Sequence, residues 1–280
     1  MTVTAGLLLL VYAISEAPRH GWASTSTVAF LAGSVALLAA FVVIETRVEA
    51  PLVPLRIFRH RTLAGANAVS LLLGGSFFTF IFLGTLYMQQ VLGYSAITTG
   101  LAWLAASLTA AALAGLSQAL VTRVSAKLVM ALGMGLIGGG ILWSTGISVH
   151  GTFWADLAGP FFVTGAGAAF AFIPVSIAAL AGVADREAGL ASGLLNTSQQ
   201  IGGAIGVAVA STVAATRFTS LAGAGASGPA ALTGGFQWAL WVCGAIGLAA
   251  VPVTWLLVRR DEIARPSTAA EPEPVLVPAD

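Results

Sequence analysis

Residues 62–122 read TLAGANAVSLLLGGSFFTFIFLGTLYMQQVLGYSAITTGLAWLAASLTAAALAGLSQALVT, and none of them is charged. A bilayer's hydrocarbon core is about 30 Å thick, which a helix crosses in roughly 20 residues. Two such helices and a short turn fit between Arg61 and Arg123. In lipid every backbone N–H and C=O needs an internal partner, so only helices or closed barrels span. Barrel strands alternate apolar and polar residues over about ten positions. Runs such as 28–44 are apolar on all sides instead, so the spans are helices.

The rest of the chain extends the pattern. Of 280 residues, 58% are hydrophobic and 8% charged. A soluble domain carries about 25% charged residues, so this surface faces lipid. The net charge of +1 implies neither an acidic partner nor nucleic acid. The single cysteine, Cys243, lies in an apolar run and forms no intrachain disulfide; a packing role suits it. Residues 1–17 have no basic leader region or small-residue cleavage site, so they read as a short first span.

Hydrophobic runs predict eight spans, over residues 2–17, 25–44, 63–89, 99–121, 128–148, 152–182, 189–216 and 236–258. The sixth holds Pro160 and Pro174, each of which removes a ladder bond. Basic residues collect on the cytoplasmic side of a membrane. The joints after odd-numbered spans hold Arg19 and Arg217; the other ten of the twelve basic residues lie in the even joints and the C-terminal tail. This bias predicts that both termini are cytoplasmic, in a bacterial plasma membrane. The predicted units are two helices over 1–44, an amphipathic joint over 45–62, a six-helix bundle over 63–260 and a disordered tail over 261–280. In the joint, Leu52, Leu55, Ile57 and Phe58 alternate with Arg56, Arg59 and Arg61, which suits the cytoplasmic lipid surface. The Gly-, Ala- and Ser-rich joint over 217–235 is expected to be flexible.

One stretch carries a motif. Residues 181–209 read AGVADREAGLASGLLNTSQQIGGAIGVAV. A short acidic-basic loop leads into Gly189, Leu190, Ala191, Ser192 and Gly193, followed by Asn196, Gln200, Gly202 or Gly203, and Gly206. This resembles the penultimate membrane region of the major facilitator superfamily, in its branch of fourteen-helix drug:proton antiporters. PLVPLRIFR at 51–59 is similar to that branch's cytoplasmic joint before its C-terminal half. EAPRHGW at 16–22 is similar to the outer joint between its two extra central helices.

The resemblance implies an all-α polytopic membrane fold: a C-terminal six-helix bundle with an inverted three-plus-three repeat, preceded by two helices. It implies that this chain corresponds to the last eight of fourteen helices. The partners it implies are the lipid bilayer, a small-molecule substrate, and a missing N-terminal six-helix half or a second copy. Transport of that kind is proton-coupled efflux of amphiphilic molecules, with no cofactor, no metal and no enzymatic step. The alternative is a truncated or half-unit membrane protein without transport of its own. The family's basic-acidic loop motif would fall on 118–127, where Thr122 and Ser125 depart from it and Arg123 keeps the basic position.

Candidate site residues follow from helical periodicity. In the seventh span Gly189, Ser192, Asn196, Gln199, Gly203 and Gly206 fall within an arc of about 100°. Such a stripe suits either close helix–helix contact, where small residues let backbones approach, or a surface facing substrate. Ser192 with the glycines Gly189, Gly203 and Gly206 is the candidate domain interface, and Asn196 and Gln199 are candidates for the cavity. The third span offers Asn67, Ser70, Phe78 and Gln89 on one stripe. The resemblance makes that helix a cavity wall, and packing is the alternative for each residue. Asp156 is an acid inside a predicted span, near its outer end. It is a candidate for proton coupling or for offsetting the helix dipole. His20, His60 and His150 fall in separate joints, and no metal-ligand cluster or nucleophile–base pairing is present in the sequence.

Overall fold

A computed structural model describes residues 2–48, 61–181 and 183–258. Eight long helices follow in order: α1 Thr2–His20, α2 Thr25–Glu45, α3 Arg61–Gln90, α4 Ala96–Arg123, α5 Ala126–Trp143, α6 Ala158–Leu180, α7 Ala188–Gly223 and α8 Gly228–Leu257. A π-turn, Phe153–Leu157, leads into α6. No strand occurs among the described residues. The fold is all-α and polytopic. Seven helices are long and apolar enough to cross a membrane, and α1 has a shorter apolar stretch, Thr2–Ile14.

Polar residues in three of the joints cap the helices that follow. Ser24 accepts from the Thr27 N–H at 3.3 Å, Ser95 from Thr98 at 3.1 Å and Ser125 from Leu128 at 3.2 Å. Each satisfies a backbone donor that the first helical turn leaves orphaned. These caps set the starts of α2, α4 and α5. Gly93, at φ 70°, closes the turn between α3 and α4 in a conformation that L side chains rarely adopt.

Three boundaries differ from the sequence expectation. The stretch 217–235 is not a flexible joint: α7 continues to Gly223 and α8 begins at Gly228, leaving only four residues between them. Glycine is a weak helix former in water, but its backbone groups still need partners near lipid, and helix supplies them. Second, α1 runs through the EAPRHGW motif as far as His20. Third, Pro160 sits in the first turn of α6, and Pro174 is the interior proline. The expected amphipathic joint falls mostly on residues 49–60, and the tail on 261–280, outside the described residues.

The largest helix contacts pair up, except that α7 packs on α8 far more extensively than α4 does on α5. Helix α3 packs on α7 and α8; α6 packs on α4 and α5; α5 and α8 meet each other. Exchanging α3-α4-α5 with α6-α7-α8 maps this set of contacts onto itself. Close approaches follow the same exchange. The Leu71 carbonyl of α3 meets Gly202 of α7, and the Ala106 carbonyl of α4 meets Gly165 of α6. Gly65, near the start of α3, lies against Leu257 at the end of α8; Gly159, near the start of α6, lies against Trp143 at the end of α5. This is the arrangement of an inverted three-plus-three repeat. Helices α1 and α2 form a hairpin, joined by Ser34 donating to the Gly6 carbonyl at 2.8 Å. The hairpin rests on α7 through α1, and the Trp22 indole N–H donates to Thr212 Oγ1 at 3.1 Å.

Candidate substrate-cavity surface

The expected stripes on α3 and α7 meet, but only in part. Asn67 is buried; its amide donates to the Leu63 carbonyl at 2.9 Å, and its oxygen accepts from Ser198 Oγ at 2.9 Å. Ser70 is fully buried and its hydroxyl has no partner. Gly74 faces the Gln199 carbonyl, Gly203 lies against the Phe78 ring, and Gly206 meets the Gly75 carbonyl and Thr79 Oγ1. A β-carbon at Gly74 or Gly206 would collide with backbone. Asn67, Ser70, Gly203 and Gly206 therefore form the seam between two helices, where small residues let backbones approach.

The remainder of the α7 stripe is open. Gly189, Ser192 and Asn196 are exposed, and Gln199 is half-buried. Beside the seam lies a hollow of about 860 Å³, bounded by Leu7 and Val11 of α1, Phe78 and Phe82 of α3, and Asn196 and Gln200 of α7. Phe78 and Asn196 thus share one cavity. Gln89 is exposed near the far end of α3 and does not line it.

Two features were not among the expected site residues. Gln200 is exposed on the hollow and continues the four-residue ridge from Ser192 through Asn196; that spacing is a usable sequence signal. The second is aromatic. Phe172 of α6 stands 5.5 Å from Phe77 and 6.5 Å from Phe78, centroid to centroid. All three rings are partly exposed. Nothing local in the α6 sequence marks Phe172, because its neighbours come from another helix. The arrangement offers rings for stacking and side-chain amides for adaptable hydrogen bonds, which suits a bulky amphiphile.

Asp156 lies within the π-turn, half-buried, and accepts from Ser148 Oγ at 3.3 Å. Tyr87 of α3 donates to the Ser148 carbonyl at 2.7 Å, and Gly151 fits closely against both Asp156 and the Tyr87 hydroxyl. The side chain that caps this turn is Thr152, which accepts from the Ala155 N–H at 3.3 Å. Asp156, in the first turn of this π-helix, also ties it to the joint between α5 and α6 through Ser148. It stands apart from the 860 Å³ hollow, whose lining does not include it.

Known proteins resemble this chain along most of its length. A family model described as Major Facilitator Superfamily matches residues 1–207. The cephamycin export protein CmcT of Amycolatopsis lactamdurans is 36% identical over 213 residues, 75% of this chain and 44% of that protein. The puromycin resistance protein pur8 of Streptomyces alboniger is 36% identical over 217 residues, 74% of this chain and 42% of that protein. The uncharacterized MFS-type transporter EfpA of Mycobacterium tuberculosis is 32% identical over 248 residues, 84% and 46% respectively. The chain spans less than half the length of these curated relatives.

Proposed function

The chain belongs to the major facilitator superfamily, and from that premise we propose that it forms one wall of an efflux transporter for small amphiphilic molecules. The observation that carries this reading is the hollow beside the α3–α7 seam, which Phe78 lines together with Asn196 and Gln200 while the Phe77 and Phe172 rings stand against Phe78. Alternating access requires two bundles rocking about a central site. A second six-helix bundle, from the same polypeptide or another, or a second copy of this chain, would supply the opposite wall. The names of the relatives point to antibiotics as the substrate class, and proton exchange is the driving force this reading adopts. It is a carrier's site, built for binding and release with no bond made or broken.

The distribution of basic residues supports an orientation with the α2–α3, α4–α5 and α6–α7 joints and both termini in the cytoplasm. A second reading, a membrane protein that transports nothing by itself, draws on the exposure of the polar ridge Ser192, Asn196 and Gln200. Unsatisfied polar groups in hydrocarbon cost roughly a few kcal/mol each, so that ridge calls for a cover or for water.

The test is resistance to puromycin in cells that express this chain with a complementary six-helix bundle. Phe78→Ala and Phe172→Ala should each lower resistance roughly tenfold at unchanged membrane abundance, the loss of about 1.4 kcal/mol of binding. Unaltered resistance in both variants would overturn the aromatic site.

A further inference from the structure

Arg217 lies near the end of α7, and among the described residues no carboxylate lines the hollows beside it. Its Nε is buried without a hydrogen-bond partner, and its guanidinium lies over the Trp238 ring of α8, 5.3 Å from the centroid. Two hollows of about 370 and 360 Å³ adjoin it, and Arg217 and Trp238 line both. Hydroxyl and amide groups contribute to the walls, Thr233 and Gln237 on one side and Thr216 and Ser220 on the other.

A guanidinium always carries its charge, and its planar fork of donors matches the oxygens of phosphate. Removing part of it from water without a counter-charge is unfavourable. The depth of the residue indicates which anion is near. Helix α7 has 36 residues, and at 1.5 Å per residue it is about 54 Å long, well beyond the hydrocarbon core of about 30 Å. The helix therefore extends beyond the core, and Arg217, six residues from its last, is within reach of the headgroup layer. Trp22, Trp143, Trp154 and Trp238 are exposed toward this end of the bundle, as tryptophans are at a membrane–water interface.

We propose that Arg217, held by Trp238, forms an oxyanion site between α7 and α8 that takes a phosphate group. Two sources share that chemistry, the headgroup of an anionic phospholipid and free phosphate. The site is separate from the Phe78–Asn196 hollow and does not depend on the transport reading.

The test uses the purified 280-residue chain in micelles, titrated with phosphatidylglycerol in one arm and inorganic phosphate in the other. Bound lipid is counted by native mass spectrometry, and the thermal midpoint is followed in both arms. The wild type should show saturable binding in at least one arm. Arg217→Gln should weaken it roughly tenfold, about 1.4 kcal/mol, and Arg217→Lys should retain part of it. Ser220→Asp places a carboxylate in the guanidinium's own hollow at an exposed position, and should abolish binding even if Arg217→Gln fails to fold. Saturation by phosphatidylglycerol alone identifies the lipid as the source, and saturation by inorganic phosphate identifies the free ion. Failure of the wild type to bind in either arm, or equal binding by wild type and the Ser220→Asp variant, would overturn the proposal.

Discussion

Ser198 of α7 donates a hydrogen bond of 2.9 Å to the side-chain oxygen of Asn67 on α3, joining positions 131 residues apart in sequence. The amide of Asn67 donates back to its own helix, so both ends of the side chain are tied to the seam. Truncating either partner should destabilise the α3–α7 pair. A double-mutant cycle with Asn67→Ala and Ser198→Ala should give a coupling of about 0.6–2 kcal/mol, the range of interhelical hydrogen bonds in membranes. Unfolding in mixed micelles measures it. Additive losses, with a change in drug binding, would return Asn67 to the cavity.

The glycine seam makes a sharper contrast. A β-carbon at Gly202 would meet the Leu71 carbonyl, and one at Gly206 the Gly75 carbonyl, whereas one at Gly139 of α5 meets nothing within 4 Å. Gly202→Ala and Gly206→Ala should each cost about 1–3 kcal/mol through forced separation of the helices. Gly139→Ala should be neutral or stabilising by up to about 1 kcal/mol, since alanine loses less backbone freedom in a helix. Thermal midpoints of the three variants check the ordering.

Much of this was legible in the sequence, and the exceptions share a cause. The existence and order of the spans follow from uncharged runs such as 62–122, because lipid leaves the backbone few alternatives. The α7 stripe was legible as a stripe, but an arc of about 100° covers two neighbours at once. Gly203 and Gly206 turned out to face α3, while Asn196 stayed open. Period alone cannot divide such an arc; the partner helix does. Phe172 and Ser198 acquire their surroundings only through tertiary contact, with Phe77 and Asn67 respectively. The 217–235 stretch misled because glycine and alanine signal loops in water and continue helices in lipid.

Asp156 accepts a hydrogen bond from Ser148 Oγ, and the Ser148 carbonyl accepts from Tyr87. This geometry makes it a fastener for the α5–α6 joint. Asp156→Asn should lower stability by about 0.3–1 kcal/mol, the usual scale for a charge near a helix start. In the assembled transporter it should leave the pH dependence of efflux unchanged. Loss of proton-driven efflux with normal stability would instead make Asp156 a coupling residue.

Orientation is tested by labelling intact cells with an impermeant thiol reagent. Cys243 is fully buried, so background reaction should be low. Ala224→Cys, in the α7–α8 joint, should react from outside; Ala184→Cys, in the α6–α7 joint, should react only after permeabilisation. The reverse pattern would invert the bundle.

We propose that the hollow lined by Phe78 and Asn196 is half of a cavity that a second bundle must complete. With one wall, no gate can close on either side of a substrate. The direct measurement is uptake of an amphiphilic dye into proteoliposomes under an imposed pH gradient. The 280-residue chain alone should give none, and the chain reconstituted with a complementary six-helix bundle should give gradient-dependent uptake that Phe78→Ala reduces. Robust gradient-driven uptake by the chain alone, as a monomer, would contradict the account.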